Sequence, residues 1–190
     1  MSIPIENLHE ASNWLLYEIW MLKGLADAIE TGQSHNKGVL SNAVVEAFLM
    51  HARVLHDFFY KSPIKDDDVV AGHFFPDGDW ERIRPEKPTI LNTKKTAIDK
   101  RLAHMTYARL GTKEEWSWTL IRNELNAPIE AFLHNVSLTS LGSRWVEEGE
   151  ISSDLSKLLP NFYKGDGYWD QTSFWPADPT VSADHYPGDD

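Results

Sequence analysis

The chain has 190 residues, 42% hydrophobic and 25% charged, which describes one globular body with a real core and excludes a disordered protein. Its net charge of -11 opposes broad non-specific binding to nucleic acid, which needs a basic surface, though it leaves room for a local basic pocket. With no cysteine, disulfide staples and thiolate metal sites are excluded, which fits a reducing compartment, and a cytoplasmic protein is expected. The start, "MSIPIENLHE", has no basic stretch ahead of an apolar run, so no signal peptide is expected. The apolar-looking "NWLLYEIWMLKGLADA" is broken by Glu18, Lys23 and Asp27, so no membrane span is expected.

The first helix is predicted over residues 6–31. Leu8, Leu15, Leu22 and Ile29 recur every seven residues, with Ala11, Ile19 and Ala26 on the same stripe. Trp14, Met21 and Leu25 form a second apolar flank, and Gly32 supplies the stop. The second helix, residues 38–60, is apolar nearly all round, as a central helix touching several neighbours would be. Its one narrow polar strip is Glu46, Arg53 and Asp57, with Tyr60 at its end.

Residues 61–89 form a long connection with four prolines, in which the acids at 66–68 are predicted to cap a short helical turn over "VVAGHFF". A third helix is predicted from about Ile90 to Arg109, with Ile98, Leu102 and Met105 as its core stripe. A fourth runs from about Glu115 to Val136, with Trp118, Ile121, Leu125, Ile129, Phe132 and Val136 on one face. Pro128 inside it predicts a kink. Four long helices in sequence predict an all-α, up-and-down four-helix bundle over residues 1–160. Residues 161–190 hold seven aromatics and six aspartates among glycines and prolines. That composition predicts an irregular segment packed on the bundle, with the last residues loose.

The stretch "IDKRLAHMTYARL" carries the sharpest question. On a helical wheel Arg109 falls between Ile98 and Leu102, on the core stripe, and His104 lies beside Ala97, Arg101 and Ala108. Small neighbours allow close approach of another helix. His104 and Arg109 therefore frame a pocket or a subunit interface, or else form a half-buried histidine and an arginine snorkelling off the helix end. Arg53 and Asp57, spaced i, i+4, can pair. If their strip faces the third helix, Glu46, Arg53 and His104 converge as a polar network; if it faces water, the strip is an ordinary solvated edge.

His51, between Val44 and Phe58 on the wheel, reads as a satisfied core histidine, and His56 lies nearer the polar strip on a different face. The acids at 66–68 with His73 could offer metal ligands, but capping accounts for them more simply, and neither metal nor cofactor is expected. No phosphate-binding glycine loop, dinucleotide fingerprint or G-x-S-x-G elbow occurs. The negative charge is spread, -5 on residues 161–190 and -6 on the remainder of the -11, which disfavours a nucleic-acid mimic.

The segments "EAFLMHARVLHDFF", "DDDVVAGHFF" and "IDKRLAHMTYAR" resemble a group of bacterial helical proteins, and their layout is similar to the HEPN superfamily of toxin–antitoxin and phage-defence systems. The resemblance covers residues 40–135, about half of the chain. It implies a helical bundle, a homodimer, and metal-independent RNA cleavage by an arginine followed, after four to six residues, by a histidine. His104 matches the histidine. The arginine positions hold Ala97, Ile98 and Asp99, so the motif is broken, and Arg109 would have to supply the cation from beyond the histidine. The alternative is a non-catalytic interaction module that binds a protein partner through the bundle and the aromatic C-terminal segment.

Overall fold

The computed structural model describes residues 3–32, 38–63, 65, 67–98, 117–142, 145–147 and 150–151. All of them lie in one compact unit, Met1–Leu158. The described residues are mostly helical, and the fold is all-α; extended pairing among them is confined to β1 (Val146–Glu147) and β2 (Glu150–Ile151), a minimal antiparallel hairpin.

Helix α1 spans Ile5–Glu30 and buries Leu8, Ser12, Leu15, Leu16, Ile19, Leu22, Ala26 and Ile29, which is the predicted stripe with Ser12 and Leu16 added and Ala11 only half-buried. Pro4 precedes it with φ -57°, already set for a helix start, and its carbonyl accepts from the Asn7 and Leu8 amides. The helix ends where Gly32 turns to φ 75°, a left-handed conformation glycine adopts without strain.

Helix α2 spans Val39–Tyr60, and its buried residues, Phe48, Leu49, Ala52, Leu55, His56, Phe58, Phe59 and Tyr60, all lie from Phe48 onward. The expectation of a helix enclosed on several sides is corrected for its start, where Val39 is 84% and Leu40 78% exposed. Periodicity reports which residues are apolar, not whether a neighbour reaches them.

The connection after α2 is part of the core. A 3₁₀ turn at Ala71–Phe74 and the short helix α3, Asp79–Ile83, bury Val70, Ala71, Phe74 and Trp80. The acids do not cap this turn as predicted: Val70 precedes it without a side-chain cap. Instead the Asp68 carboxylate accepts from Lys61 Nζ at 3.2 Å and from the Lys65 amide at 3.1 Å. A charged partner just past the end of α2 and a local backbone amide together outcompete a turn that lies three residues further on.

Helix α4 is described over Thr89–Ile98, with Leu91 and Ile98 buried. The predicted continuation to Arg109 lies outside the described residues. The amides at its start are satisfied from another helix: the Glu124 carboxylate accepts from Ile90 N–H at 3.1 Å and Leu91 N–H at 3.3 Å. Glu124 belongs to α5, Trp118–Asn135, which buries Ile121, Leu125, Pro128, Ile129 and Phe132 and remains one helix through Pro128.

Helix α1 packs on α2 and α5, α2 packs on α4 and α5, and α4 touches α5. The start of α5 meets the end of α1, through Arg122 on Asp27 at 3.0 Å and on Glu30 at 3.1 Å. The chain after α5 returns to the start of α1, where Trp145 Nε1–H donates to the Ser12 carbonyl at 2.8 Å.

Candidate functional site

The polar strip of α2 is where an otherwise apolar helix places charge against its neighbours. Of the three residues singled out there, Glu46 is exposed, while Arg53 and Asp57 are half-buried and Arg53 Nε is fully enclosed. The structure adds a residue between them. His56 is only 3% exposed, and its Nδ1–H faces the Asp57 carboxylate at 3.5 Å. Its ring lies tilted on Tyr60, with centroids 5.5 Å apart. His104, which would join this strip if the strip faces the third helix, and Arg109 both lie outside the described residues. Glu46 stands in solvent two turns before Arg53, so the cluster the structure brings together is Arg53, His56, Asp57 and Tyr60.

The end of α2 is held by the connection. The Phe59 carbonyl accepts from Trp80 Nε1–H at 2.8 Å and from Arg84 Nη1 at 3.4 Å. Tyr60 donates its hydroxyl to the Glu86 carbonyl at 3.2 Å, and the Arg84 guanidinium sits 5.6 Å over its ring. Burial pushes the Tyr60 phenol up to about 12; the Glu124 charge adds to this and Arg84 opposes it. The phenol is therefore a donor, not a base, at neutral pH. Arg53 and Arg84 supply fixed cations at this end of α2, and Asp57 and Glu124 limit the net positive charge.

A second polar cluster, absent from the sequence reading, sits on the α1–α2 seam. The Glu18 carboxylate accepts from His51 Nδ1 at 2.7 Å, both residues being half-buried, and the Tyr17 ring meets the imidazole edge-on at 5.7 Å. His51 is thus satisfied, as expected, but by a carboxylate from α1. Burial, with the Glu18 charge, raises the Tyr17 phenol above its usual range. Only the pairing of α1 with α2 could have revealed Glu18 as the partner; its signal in sequence is a lone acid on an apolar flank.

His73 is half-buried and its pKa is lowered by burial, with Asp68 opposing the shift. Among the described residues, no group of three or more His, Cys, Asp or Glu side chains converges as metal ligands would. None of the described helices is long and apolar enough to cross a membrane.

The chain matches no family model, no curated protein and no solved structure.

Proposed function

We propose that this is a HEPN-like protein of bacterial defence or mobile-element type, an up-and-down four-helix bundle that acts on RNA as a cytoplasmic homodimer without a metal ion. The observation that supports this reading is the cluster on α2: a half-buried arginine and aspartate flanking an enclosed histidine, on a helix that packs against α4. The sequence that follows α4 carries His104 and Arg109. In this reading His104 takes the proton of the ribose 2′-hydroxyl or returns one to the leaving oxygen. The 2′-oxygen bonds to phosphorus as the P–O5′ bond breaks, and the charge that grows on the phosphorane is stabilised by Arg109 or Arg53. Glu46 and Asp57 orient these groups.

The test is cleavage of a single-stranded RNA in the presence of EDTA. His104→Ala is expected to lower the rate by about a hundredfold or more, the usual worth of a general acid–base group. Arg53→Ala is expected to lower it as well. Cleavage that persists unchanged in His104→Ala would remove the reading.

One observation favours the alternative, a non-catalytic interaction module. Val39, Leu40 and Leu120, the last 51% exposed, start α2 and α5, and the Arg122 contacts place the start of α5 beside the end of α1. An apolar end of this kind suits a second copy or a protein partner. Val39→Gln with Leu40→Gln is then expected to shift the mass seen by light scattering from dimer to monomer, with the melting temperature held. A mass that stays put in the variant would exclude this end as the contact.

A further inference from the structure

Charge is segregated along the chain. Residues 84–101, which follow α3, hold six of the 18 Lys and Arg and two of the 29 Asp and Glu, a net +4, so the rest of the chain carries -15. From Lys87 to Ile98 there is no acid. Lysines on the outside of a helix are ordinary. An acid-free stretch on a chain of net charge -11 is not, because a solvated surface usually mixes both signs.

The fold keeps much of this stretch at the surface. Helix α4 buries Leu91 and Ile98 and leaves Thr89, Asn92 and Thr96 exposed, with Lys87 exposed just ahead of it. At 100° per residue, Thr89, Asn92 and Thr96 fall within about 60° of one another. Lys95 takes the helix position one turn after Asn92. The first amides of α4 are held by the Glu124 carboxylate, so the helix start offers no anion site of its own. Any ligand of this face meets side chains.

Those side chains narrow the ligand. None of the exposed large hydrophobic residues lies within 84–98. A protein partner would find no apolar anchor there. Lysines beside hydroxyl and amide donors are instead the set that holds the phosphates of a nucleic-acid backbone, which positions a strand without reading its bases. The location fits as well: α4 packs on α2, the helix of Arg53, and the sequence reaches His104 six residues after Ile98.

We propose that the exposed face of α4, with Lys87 ahead of it, holds the phosphate backbone of single-stranded RNA. The proposal rests on the RNA reading above and adds the surface that positions the strand. Lys87 and Lys95 are its cations, and both are positioning residues.

The test is fluorescence anisotropy of the full chain with a short labelled oligouridine in EDTA, repeated over a range of salt concentrations. Each phosphate contact on a single strand contributes about 0.7 to the slope of log affinity against log salt, so Lys87→Gln with Lys95→Gln is expected to flatten the slope by about 1.4. Lys65→Gln, which removes an exposed lysine from the connection after α2, is expected to leave it standing. Lys87→Glu, confined to the one exposed lysine ahead of the helix, is expected to flatten the slope by at least one contact and keeps the test decisive if the double variant does not fold. A slope unchanged in the α4 variants, or flattened equally by Lys65→Gln, overturns the proposal. Polyglutamate bound as tightly as oligouridine assigns the face to an acidic protein and also overturns it. In each case RNA cleavage that depends on His104 would leave the RNA reading intact, and loss of that dependence would remove the reading whatever α4 binds.

Discussion

Phe132→Ala is expected to cost about 3–5 kcal/mol, the range for removing a fully enclosed phenylalanine, and to lower the melting temperature by roughly 6–20 °C. Phe132 is wholly buried on α5 and is the ring on which three elements meet. It contacts Phe58 at 5.5 Å and Phe59 at 6.1 Å from α2, Phe74 at 5.4 Å from the 3₁₀ turn, and Trp80 at 6.0 Å from α3. Phe75 adds a contact at 5.6 Å. Most of these rings stand nearly perpendicular, the arrangement that places a positive ring edge on a negative face. Alanine would leave a cavity bounded by other rings, and rings do not collapse to fill it. The consequence reaches the site, because Phe59 carries the carbonyl that receives Trp80 and Arg84, and Tyr60 follows it. A circular dichroism melt on wild type and Phe132→Ala decides the matter. A loss below about 2 °C, less than 1 kcal/mol for a body of this size, would show that the ring cluster is not the hub it is taken to be.

The helices were legible because their apolar residues repeat at the helical period. The predicted 6–31 and 38–60 correspond to Ile5–Glu30 and Val39–Tyr60, and Gly32 marks the first stop in both readings. The buried face of α5 was legible for the same reason, from Ile121 to Phe132. What could not be read depends on partners distant in the chain. Ser12 lies on the stripe of α1 yet is fully buried, because its hydroxyl and carbonyl serve groups 130 and 133 residues away. Glu18 reads as an interruption until α2 brings His51 to it. Trp80 sits in an irregular, proline-rich stretch with no period to announce burial. Glu124 reads as one more surface acid of a helix until the bare amides of α4 stand in front of it.

The candidate site was legible only as a strip. Arg53 and Asp57 were visible because they interrupt an apolar helix, and both prove half-buried. His56 reads in sequence only as a histidine near the strip, because one histidine at such a border carries no pattern. Its importance comes from enclosure, a property of the packed fold. Glu46 shows the converse, since a position on the same helical side says nothing about how far the neighbouring helix extends. His104 and Arg109, the residues with the strongest signal in sequence, lie outside the described residues, and the mutational test of RNA cleavage addresses them directly.

Gly142→Ala is expected to destabilise by about 2–4 kcal/mol, combining overpacking with the loss of enclosed hydrogen bonds. A Cβ there would stand 2.7 Å from the His9 carbonyl oxygen and 2.8 Å from Asn13 Oδ1. The Asn13 amide can swing away. The His9 carbonyl cannot, being backbone of α1 and already accepting from the Ser12 hydroxyl at 2.8 Å. The returning segment would have to lift instead. That movement would strain the contact from Gly142 N–H to Ser12 Oγ at 2.8 Å and the one from Trp145 Nε1–H to the Ser12 carbonyl. It would also strain His9 Nε2 on the Thr139 carbonyl at 2.8 Å. Ser12→Ala attacks the same latch from the other side, removing the acceptor of the Gly142 amide. If the segment docks as one unit, the two substitutions share their cost, and the double variant should fall short of additivity by about 1 kcal/mol or more. Additive losses in urea melts would show that the glycine and the serine act independently, and the latch would then be two unrelated contacts on α1.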